Sequence, residues 1–320
     1  MILCLMQKYK IYRKKDDVNM KNELITNFKL ENQKWLNSCN KKDSTGAIMR
    51  RAKQLGYELP NTCSGAIILG LDDLESELKE EKLIDMIGFK SNDKLAGIPT
   101  INFPNIFVQQ TFMRMVKDNP ILLEKYESVR ILMEYFQEHT VCHNCELCNG
   151  LCYNNKFEYG KLKKTISELR VLLAYIVDRQ ALANKILRIC KINNVFRING
   201  NGEIHSQEML TFWINIAKRK TNTLFFTYTK SFEIFEEYLQ ENKLPKNMLI
   251  NMSIIDGQQE KLSKFENLYS GNKFVVVNEL PNKAKYVCCG NCTECGDFEL
   301  GYCMKKLPKN NNTIYVEYHN

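Results

Sequence analysis

The chain has 320 residues, 44% of them hydrophobic, with a formal net charge of +8 from 45 basic and 37 acidic residues. This length and composition provide a substantial hydrophobic core and exclude a fully disordered chain. No stretch approaches the roughly 18 apolar residues that a membrane-spanning helix needs, and the short apolar start MILCLM lacks the features of a secretory signal. The sequence therefore predicts a cytoplasmic protein without membrane association.

Residues 1–95 are predicted to form a helical accessory segment. Amphipathic spacing in TGAIMRRAKQLGYELP and in LDDLESELKEEKLIDMIG indicates helices, the second of which stops at Gly88. Met20 offers an alternative start, in which case residues 1–19 would lie outside the structured protein. No motif that carries chemistry occurs in this segment, so the functional residues are expected within residues 96–320.

From residue 96 onward, β-like and helical patterns alternate along the chain. GIPTINFP (97–104) is β-like, a helix is predicted over 121–137, and one long helix over 163–191 has Val177 on its buried stripe. Ser206 and Ser231 occupy N-cap positions of two later helices. The remaining predicted strands are 194–199, 223–229, 248–255, 273–280 and 313–319, and the helices between them are 206–220, 231–243 and 260–270.

This alternation predicts an α/β fold, because parallel strands are joined by helical crossovers. Six strands suit a partial or complete parallel (β/α) barrel, with an open doubly wound sheet as the structural alternative. In both architectures the functional residues lie at the carboxyl ends of the strands. That rule directs attention to the segments that follow 103, 199, 229, 253 and 279.

The chain contains thirteen cysteines, and eight of them fall in two groups. In a reducing compartment, clustered cysteines more often bind metal than form disulfides. The spacing C-x2-C-x2-C-x3-C of the first group matches the bacterial ferredoxin pattern, except that Tyr153 replaces the usual proline. The first group is Cys142, Cys145, Cys148 and Cys152, and the second is Cys289, Cys292, Cys295 and Cys303, next to Cys288.

The spacing favours an iron–sulfur cluster, a [4Fe-4S] cluster, at the first group. Structural zinc is the alternative, although zinc sites usually pair two C-x2-C turns across a longer gap. For the second group, iron–sulfur and zinc remain equally open, and the two groups could form one site or two. The sequence thus predicts cysteine-rich metal-binding loops.

A polar turn follows the strand predicted over 194–199. Gly200, Asn201, Gly202 and Glu203 form it; the glycines let the backbone approach a ligand, and Glu203 could accept from an ammonium group or a hydroxyl. An ordinary turn is the alternative. Lys230, just after the strand 223–229, and Arg197 are the candidate catalytic residues. The Lys230 side chain could face either the barrel mouth or solvent, and Arg197 could pair with a carboxylate of a ligand or of the protein. His205 is interpreted as a helix-start residue rather than a metal ligand.

An ordered series of motifs gives residues 97–303 a resemblance to a known family. The motifs are IPTINFP, the cysteine segment that ends in CY, FRINGNGEIHSQE, FFTYTKSF, LPKNMLINMS and the late cysteine cluster. Together they resemble the phage gene product 88 family, whose members look similar to the radical S-adenosylmethionine barrels. The N-terminal helical region and residues 105–140 lie outside the resemblance.

The resemblance implies roles for individual residues. Cys142, Cys148 and Cys152 match the family's early cysteines, Cys145 is additional, and residues 228–231 match its Tyr-Thr-Lys stretch. Glu203, where the family more often has Asp, matches the position that binds the methionine amine of S-adenosylmethionine in radical enzymes. Cys145 is decisive, because a cluster held by three cysteines has an open iron and one held by four does not.

Two functions are therefore expected from the sequence. The first is a phage or mobile-element iron–sulfur enzyme of the radical S-adenosylmethionine type, acting on an unknown small-molecule or macromolecular substrate. The alternative is a non-catalytic binding protein, stapled by zinc or an iron–sulfur cluster, that engages host protein or nucleic acid. The dispersed positive charge permits a nucleic-acid partner but does not indicate one. Hydrolase motifs are absent from the sequence.

Overall fold

A computed structural model describes residues 62–89, 97–142, 162–288, 290 and 301–317. Its centre is a six-stranded sheet in the order β1-β2-β3-β4-β6-β5, in which every neighbouring pair is parallel. The strands are β1 Val195–Arg197, β2 Leu224–Thr229, β3 Met248–Ile255, β4 Asn272–Val277, β5 Tyr286–Val287 and β6 Thr313–Glu317. The sheet forms a half-barrel, so the prediction of a partial parallel barrel is confirmed.

Helices connect the strands and precede the sheet. Those before it are α1 Thr62–Lys79, α2 Ile106–Asp118, α3 Ile121–Lys125, α4 Glu127–Glu138, α5 Leu162–Val177 and α6 Arg179–Ile189. The crossovers carry α7 Gln207–Arg219, α8 Phe232–Glu241 and α9 Ser263–Leu268, and two 3-10 turns span Gln259–Leu262 and Tyr302–Met304. No helix in the described ranges is long and apolar enough to cross a membrane.

The segment around Thr100 adds one more parallel pairing at the open side of β1. Thr100 bridges to Arg197, and the Arg197 amide donates to the Pro99 carbonyl at 3.0 Å. Farther along, the Gly200 amide donates to the Ile101 carbonyl and the Phe103 amide to the Asn201 carbonyl. The predicted strand 97–104 is therefore a single bridge with flanking hydrogen bonds, since prolines at 99 and 104 have no amide proton to donate.

The two faces of the sheet differ in their surroundings. Helices cover the outer face, where Phe196, Phe225, Ile250 and Val275 belong to the main hydrophobic core. Because side chains alternate along each strand, the residues between them point to the opposite, inner face. The inner face consists of Val195, Arg197, Leu224, Phe226, Tyr228, Leu249, Asn251, Ser253, Ile255, Asn272, Phe274, Val276, Tyr286, Ile314 and Val316.

Helix α1 is part of the main core. Its Ile67, Leu71 and Leu74 are fully buried, and Glu77 makes a two-bonded ion pair with Arg170 of α5. Glu75 of the same helix accepts hydrogen bonds from the amides of Glu127 and Ser128 and so caps α4. The division of the chain at residue 95 stays a prediction, and residues 1–61 lie outside the described residues.

Two predicted helices are interrupted in the structure. The single helix over 163–191 is wrong: α5 ends at Val177, and Asp178 accepts from the Ala181 amide at 2.8 Å as the N-cap of α6. Val177 is 43% exposed, not buried. The predicted helix over 121–137 divides at Tyr126, whose extended backbone (φ −123°, ψ 118°) separates α3 from α4. Caps therefore start new helices where apolar periodicity alone indicates continuity.

Ser206 is confirmed as an N-cap, since its hydroxyl accepts from the Met209 amide at 3.1 Å. Ser231 holds the N-cap position of α8 but makes no side-chain capping bond to that helix. Instead, its amide donates to the Thr229 hydroxyl at 2.9 Å. The start of α8 is thus tied to the end of β2, at the edge where the site residues were predicted.

Candidate functional site

Glu203 joins the loop after β1 to the end of β2. Its carboxylate accepts from the Thr229 hydroxyl at 2.9 Å and from the Lys230 backbone amide at 3.3 Å. Both groups belong to the turn between β2 and α8, so the side chain spans two neighbouring carboxyl ends of the sheet. Glu203 and Lys230, predicted separately from the sequence, therefore lie side by side.

Burial dominates the electrostatics of this carboxylate. Desolvation raises the pKa of Glu203 to about 7, while the nearby Lys230 charge and the Thr229 and Lys230 hydrogen bonds act in the opposite direction. The Lys230 charge and the hydrogen-bond donors only partly compensate the Glu203 carboxylate for the water that it loses on burial. Near neutral pH, Glu203 can exchange a proton, and a cationic ligand beside it would favour the charged form.

The loop that carries Glu203 has an unusual backbone. Asn199 has φ +49° and Gly202 has φ +77°, both in the left-handed region. A Cβ at Gly202 would lie 2.8 Å from the Phe103 carbonyl oxygen and 2.9 Å from that of Pro104. Only glycine permits this close approach. The loop is therefore shaped against residues 100–104 rather than being an ordinary solvent turn.

Asn201 anchors the same loop to helix α5. Its side-chain amide donates to the Glu168 carboxylate at 2.8 Å, and both residues are almost completely buried. Lys164 lies 3.3 Å from the same carboxylate oxygen. Asn201, predicted as a cofactor-binding residue, thus has a structural contact that holds the loop in place.

Lys230 and Arg197 both lie along the inner face. The Lys230 ammonium donates to the Ser253 hydroxyl of β3 at 3.1 Å. The guanidinium carbon of Arg197 lies 5.0 Å from the centre of the Tyr228 ring, a cation–π contact. Of the two orientations that the sequence left open for Lys230, the one that faces the barrel interior is adopted.

Sequence reasoning missed a chain of aromatic and histidine rings that supports the site. The Tyr135 hydroxyl lies 2.7 Å from Nε2 of buried His205, and His205 Nδ1 lies 3.2 Å from the Glu203 carbonyl oxygen. Because a carbonyl only accepts, Nδ1 carries the proton and Nε2 accepts from Tyr135. His139 stacks on Tyr135 with ring centres 4.3 Å apart. The one sequence signal for this support is that His205 lies two residues after Glu203.

The cysteine groups fall largely outside the described residues. Cys145, Cys148, Cys152, Cys289, Cys292 and Cys295 are not described, whereas Cys142 is half-buried and Cys303 is buried. Within the described ranges, no group of three or more His, Cys, Asp or Glu side chains is arranged to hold a metal ion. The metal-binding loops accordingly stay a prediction.

The positions where these cysteine segments begin are informative. The connection bearing the first group leaves the carboxyl end of the Thr100 pairing, and the connection bearing the second leaves the carboxyl end of β5. Carboxyl ends of parallel strands share one edge of a sheet. Both connections therefore start at the edge that carries Glu203. Cys142 follows His139, which stacks on Tyr135, by three residues in the sequence.

Two buried amides fix the return of the second connection against the inner face. Asn251 donates to the Cys303 carbonyl at 3.0 Å, and Asn272 donates to the carbonyls of Tyr302 (3.3 Å) and Lys305 (2.7 Å). The Leu307 amide donates back to Asn272 at 3.0 Å. Cys303 is thus held against the sheet beside Ile314 and Cys288.

A cleft of about 680 Å³ lies at the opposite edge of the sheet, at the amino ends of β2 and β3. Its walls include Leu224, Leu249, Tyr269 and Met304. None of the predicted site residues lines it. Since chemistry in parallel α/β folds takes place at the carboxyl ends, we assign the candidate site to the Glu203 edge and not to this cleft.

The fold and the site define the chain as a parallel α/β half-barrel with a polar cluster at the carboxyl ends of its strands. A family model described as Gene product 88 matches residues 116–302, which is more than half of the chain. The chain belongs to the Gene product 88 family. No curated protein and no solved structure matches it.

Proposed function

We propose that this protein is an iron–sulfur enzyme of the radical S-adenosylmethionine type, of phage or mobile-element origin, working at the Glu203 edge of the half-barrel. The observation that carries the proposal is topological. The first cysteine connection and the Glu203 loop leave neighbouring strand ends, and the Tyr135–His205 contact links them directly. Thiolates and a ligand-binding carboxylate would then face one another across that edge.

The residues available suit the proposed groups. Cys142, Cys148 and Cys152 would hold a [4Fe-4S] cluster, and Glu203 would accept from the amine of S-adenosylmethionine. Glu203 is half-buried with a pKa raised to about 7 by desolvation, so a neighbouring ammonium would restore its charge. When bound, a cluster with one open iron supplies a single electron to the sulfonium of that cofactor. The glycines at 200 and 202 let backbone come close to it.

The chain's own residues do the positioning. His205 and Tyr135 fix the backbone carbonyl of Glu203, and Asn201 ties the loop to α5. Lys230 and Arg197 present positive charge along the inner face, where a substrate would lie. Preorganisation of this kind lowers the cost of orienting reactants.

Metal and sulfide content tests the proposal. Anaerobically purified protein should contain iron and acid-labile sulfide, both lost in Cys148→Ala and kept in Cys190→Ala, whose thiol lies in the core beside Thr223. Cys145→Ala should keep its iron if three cysteines hold the cluster. Colourless protein with stoichiometric zinc would refute the iron–sulfur assignment.

Cofactor binding gives a second test. Glu203→Gln should weaken binding of S-adenosylmethionine, measured by calorimetry, by about tenfold or more, because a charge-assisted hydrogen bond is lost. Glu208→Gln, an exposed carboxylate paired with Arg179, is the matched control and should bind as the wild type does. Equal binding by both variants would remove Glu203 from the cofactor site.

The second cysteine group favours a structural role as a second candidate function. The Asn251 and Asn272 contacts already hold Cys303 against the sheet, an arrangement that suits a zinc or cluster staple in a protein that binds host protein or nucleic acid. Cys295→Ala separates the alternatives. A lower melting temperature, with the spectrum of the first cluster and the reaction unchanged below it, indicates a staple. Loss of reaction with the stability unchanged indicates a catalytic group.

A further inference from the structure

We propose that the inner face at the carboxyl end of β1 is an oxyanion site, in which Arg197 binds a carboxylate or phosphate group of the substrate. This inference rests on the proposed function in so far as it calls the ligand a substrate. The binding of an oxyanion is nevertheless a property of the chain that can be measured without turnover.

Arg197 has no anionic partner within the described part of the chain. The ion pairs found there involve other residues, and the buried Nε atom of Arg197 has no hydrogen-bond partner. Its guanidinium lies over the face of the Tyr228 ring, which supplies attraction but no acceptor. A half-buried guanidinium offers a planar set of donors that matches carboxylate and phosphate geometry.

The charge of the surrounding surface is complementary to an anion. Among the strand residues of the inner face, all of them described, Arg197 is the one charged residue and no Asp or Glu occurs. Lys230 follows Tyr228 by two residues and reaches across to Ser253 on the same face. At the ends of β1 and β2, the described carboxylate is Glu203, which is bonded to Thr229 and Lys230. Asp256, Glu279 and Glu317 lie at or after the ends of β3, β4 and β6. The two cations Arg197 and Lys230 therefore accompany a single carboxylate at the ends of β1 and β2.

Asn199 adds an independent indication. This residue is 5% exposed, and neither the oxygen nor the nitrogen of its side-chain amide has a hydrogen-bond partner in the described ranges. Its backbone also has the rare φ of +49°. Buried polar groups without partners and left-handed non-glycine residues are both costly, and both concentrate at ligand sites. The Arg197 and Asn199 groups lie two residues apart at one strand end.

The site is open to ligands from the inner side. Arg197, Tyr228 and Lys230 are each half-buried, so part of every side chain reaches the surface. The Tyr228 ring packs edge-on against Phe274, with ring centres 4.8 Å apart. This contact keeps the ring under the Arg197 guanidinium rigid. A rigid cation of this kind is preorganised for an anion.

Titration of the full chain with inorganic phosphate, and separately with acetate, tests the proposal at constant ionic strength. Calorimetry should show saturable binding of at least one of these probes, and comparing them distinguishes a phosphate from a carboxylate site. Arg197→Gln should weaken binding by about tenfold or more. Arg188→Gln, which removes the same charge from an exposed position on α6, should leave binding unchanged.

Further variants protect the test against misfolding. If Arg197→Gln does not fold, Arg197→Lys keeps the charge over Tyr228 and should still lose affinity several-fold, because lysine lacks the bidentate fork. Wild-type affinity in both variants, or absence of saturable binding, would overturn the proposal. So would displacement of phosphate by S-adenosylmethionine, which would assign Arg197 to the cofactor. Iron and sulfide content of the same preparation reports separately on the proposed function.

Discussion

Gly202 is the residue on which the shape of the site loop depends most. Gly202→Ala should lower the free energy of unfolding by about 2–4 kcal/mol, since it combines a left-handed backbone with contact against two carbonyl oxygens. Equilibrium urea unfolding measures the change.

Two other glycines separate the causes of that change. Gly257 has φ +88° with open space around its Cβ position, so Gly257→Ala should cost only about 1 kcal/mol. Gly88 has neither a positive φ nor a neighbour within 4 Å, and Gly88→Ala should not destabilise the protein. Equal losses of unfolding free energy in Gly202→Ala and Gly257→Ala would show that the Glu203 loop moves away from residues 103 and 104.

The raised pKa of Glu203 makes stability depend on pH. The pKa is about 7 in the folded protein and near 4.5 in the unfolded chain, so between these values the folded state retains a proton that the unfolded state has lost. Relative to Glu203→Gln, the wild type should therefore lose up to about 3 kcal/mol as pH rises through this window.

Urea unfolding of both proteins across that pH range measures the difference. Glu208→Gln, at an exposed position, should follow the wild-type curve. A difference between wild type and Glu203→Gln that does not change with pH would mean that water reaches the carboxylate.

At the scale of elements, the contact between α4 and the Glu203 loop is the important one. Tyr135→Phe removes the donor to His205 Nε2 and leaves a buried nitrogen without a partner, so it should cost about 1–2 kcal/mol. It should also weaken S-adenosylmethionine binding if the loop positions Glu203. Tyr238→Phe is the control, because the hydroxyl of Tyr238 has no hydrogen-bond partner in the described part of the chain. Unchanged stability in Tyr135→Phe would show that the contact is incidental.

Elements were predictable where local patterns govern them. After residue 194, the alternation predicted every described strand except β5, and every α-helix, within a few residues of its structural bounds, because each buried strand is a short apolar run with turn residues on both sides. The divisions at Asp178 and Tyr126 were missed. The second of these depends on Glu75, a residue more than fifty positions away, which no local pattern includes.

The site was predictable only in part for the same reason. Glu203 and Lys230 follow from the rule on strand ends, and each lies where that rule puts it. The support by Tyr135 and Glu168 comes from other elements and becomes visible only when the chain is folded.

For the whole molecule, helix α1 determines whether the half-barrel can fold without the N-terminal residues. A chain of residues 96–320 lacks Ile67, Leu71, Leu74 and the Glu77 partner of Arg170, all of which are buried against other helices. Losing even one such leucine costs about 3–5 kcal/mol, so this fragment should not fold cooperatively.

Circular dichroism and thermal melting of the fragment measure this directly. Leu71→Ala in the full chain is the milder comparison and should fold with reduced stability, whereas substitution of exposed Lys79 by Ala should have little effect. A fragment that melts cooperatively near the full-length temperature would make α1 the accessory element that the sequence predicted.

The position of β6 between β4 and β5 sets an order of assembly. Among the described residues, β5 pairs only with β6, so residues 286–287 cannot join the sheet until residues 313–317 have been synthesised and inserted. During translation, the connection with the second cysteine group therefore leaves the ribosome before β5, at its start, has a strand to pair with, whereas its far end leads into β6, which pairs with β4. Any ion bound by that connection would be captured after β1 to β4 have been synthesised.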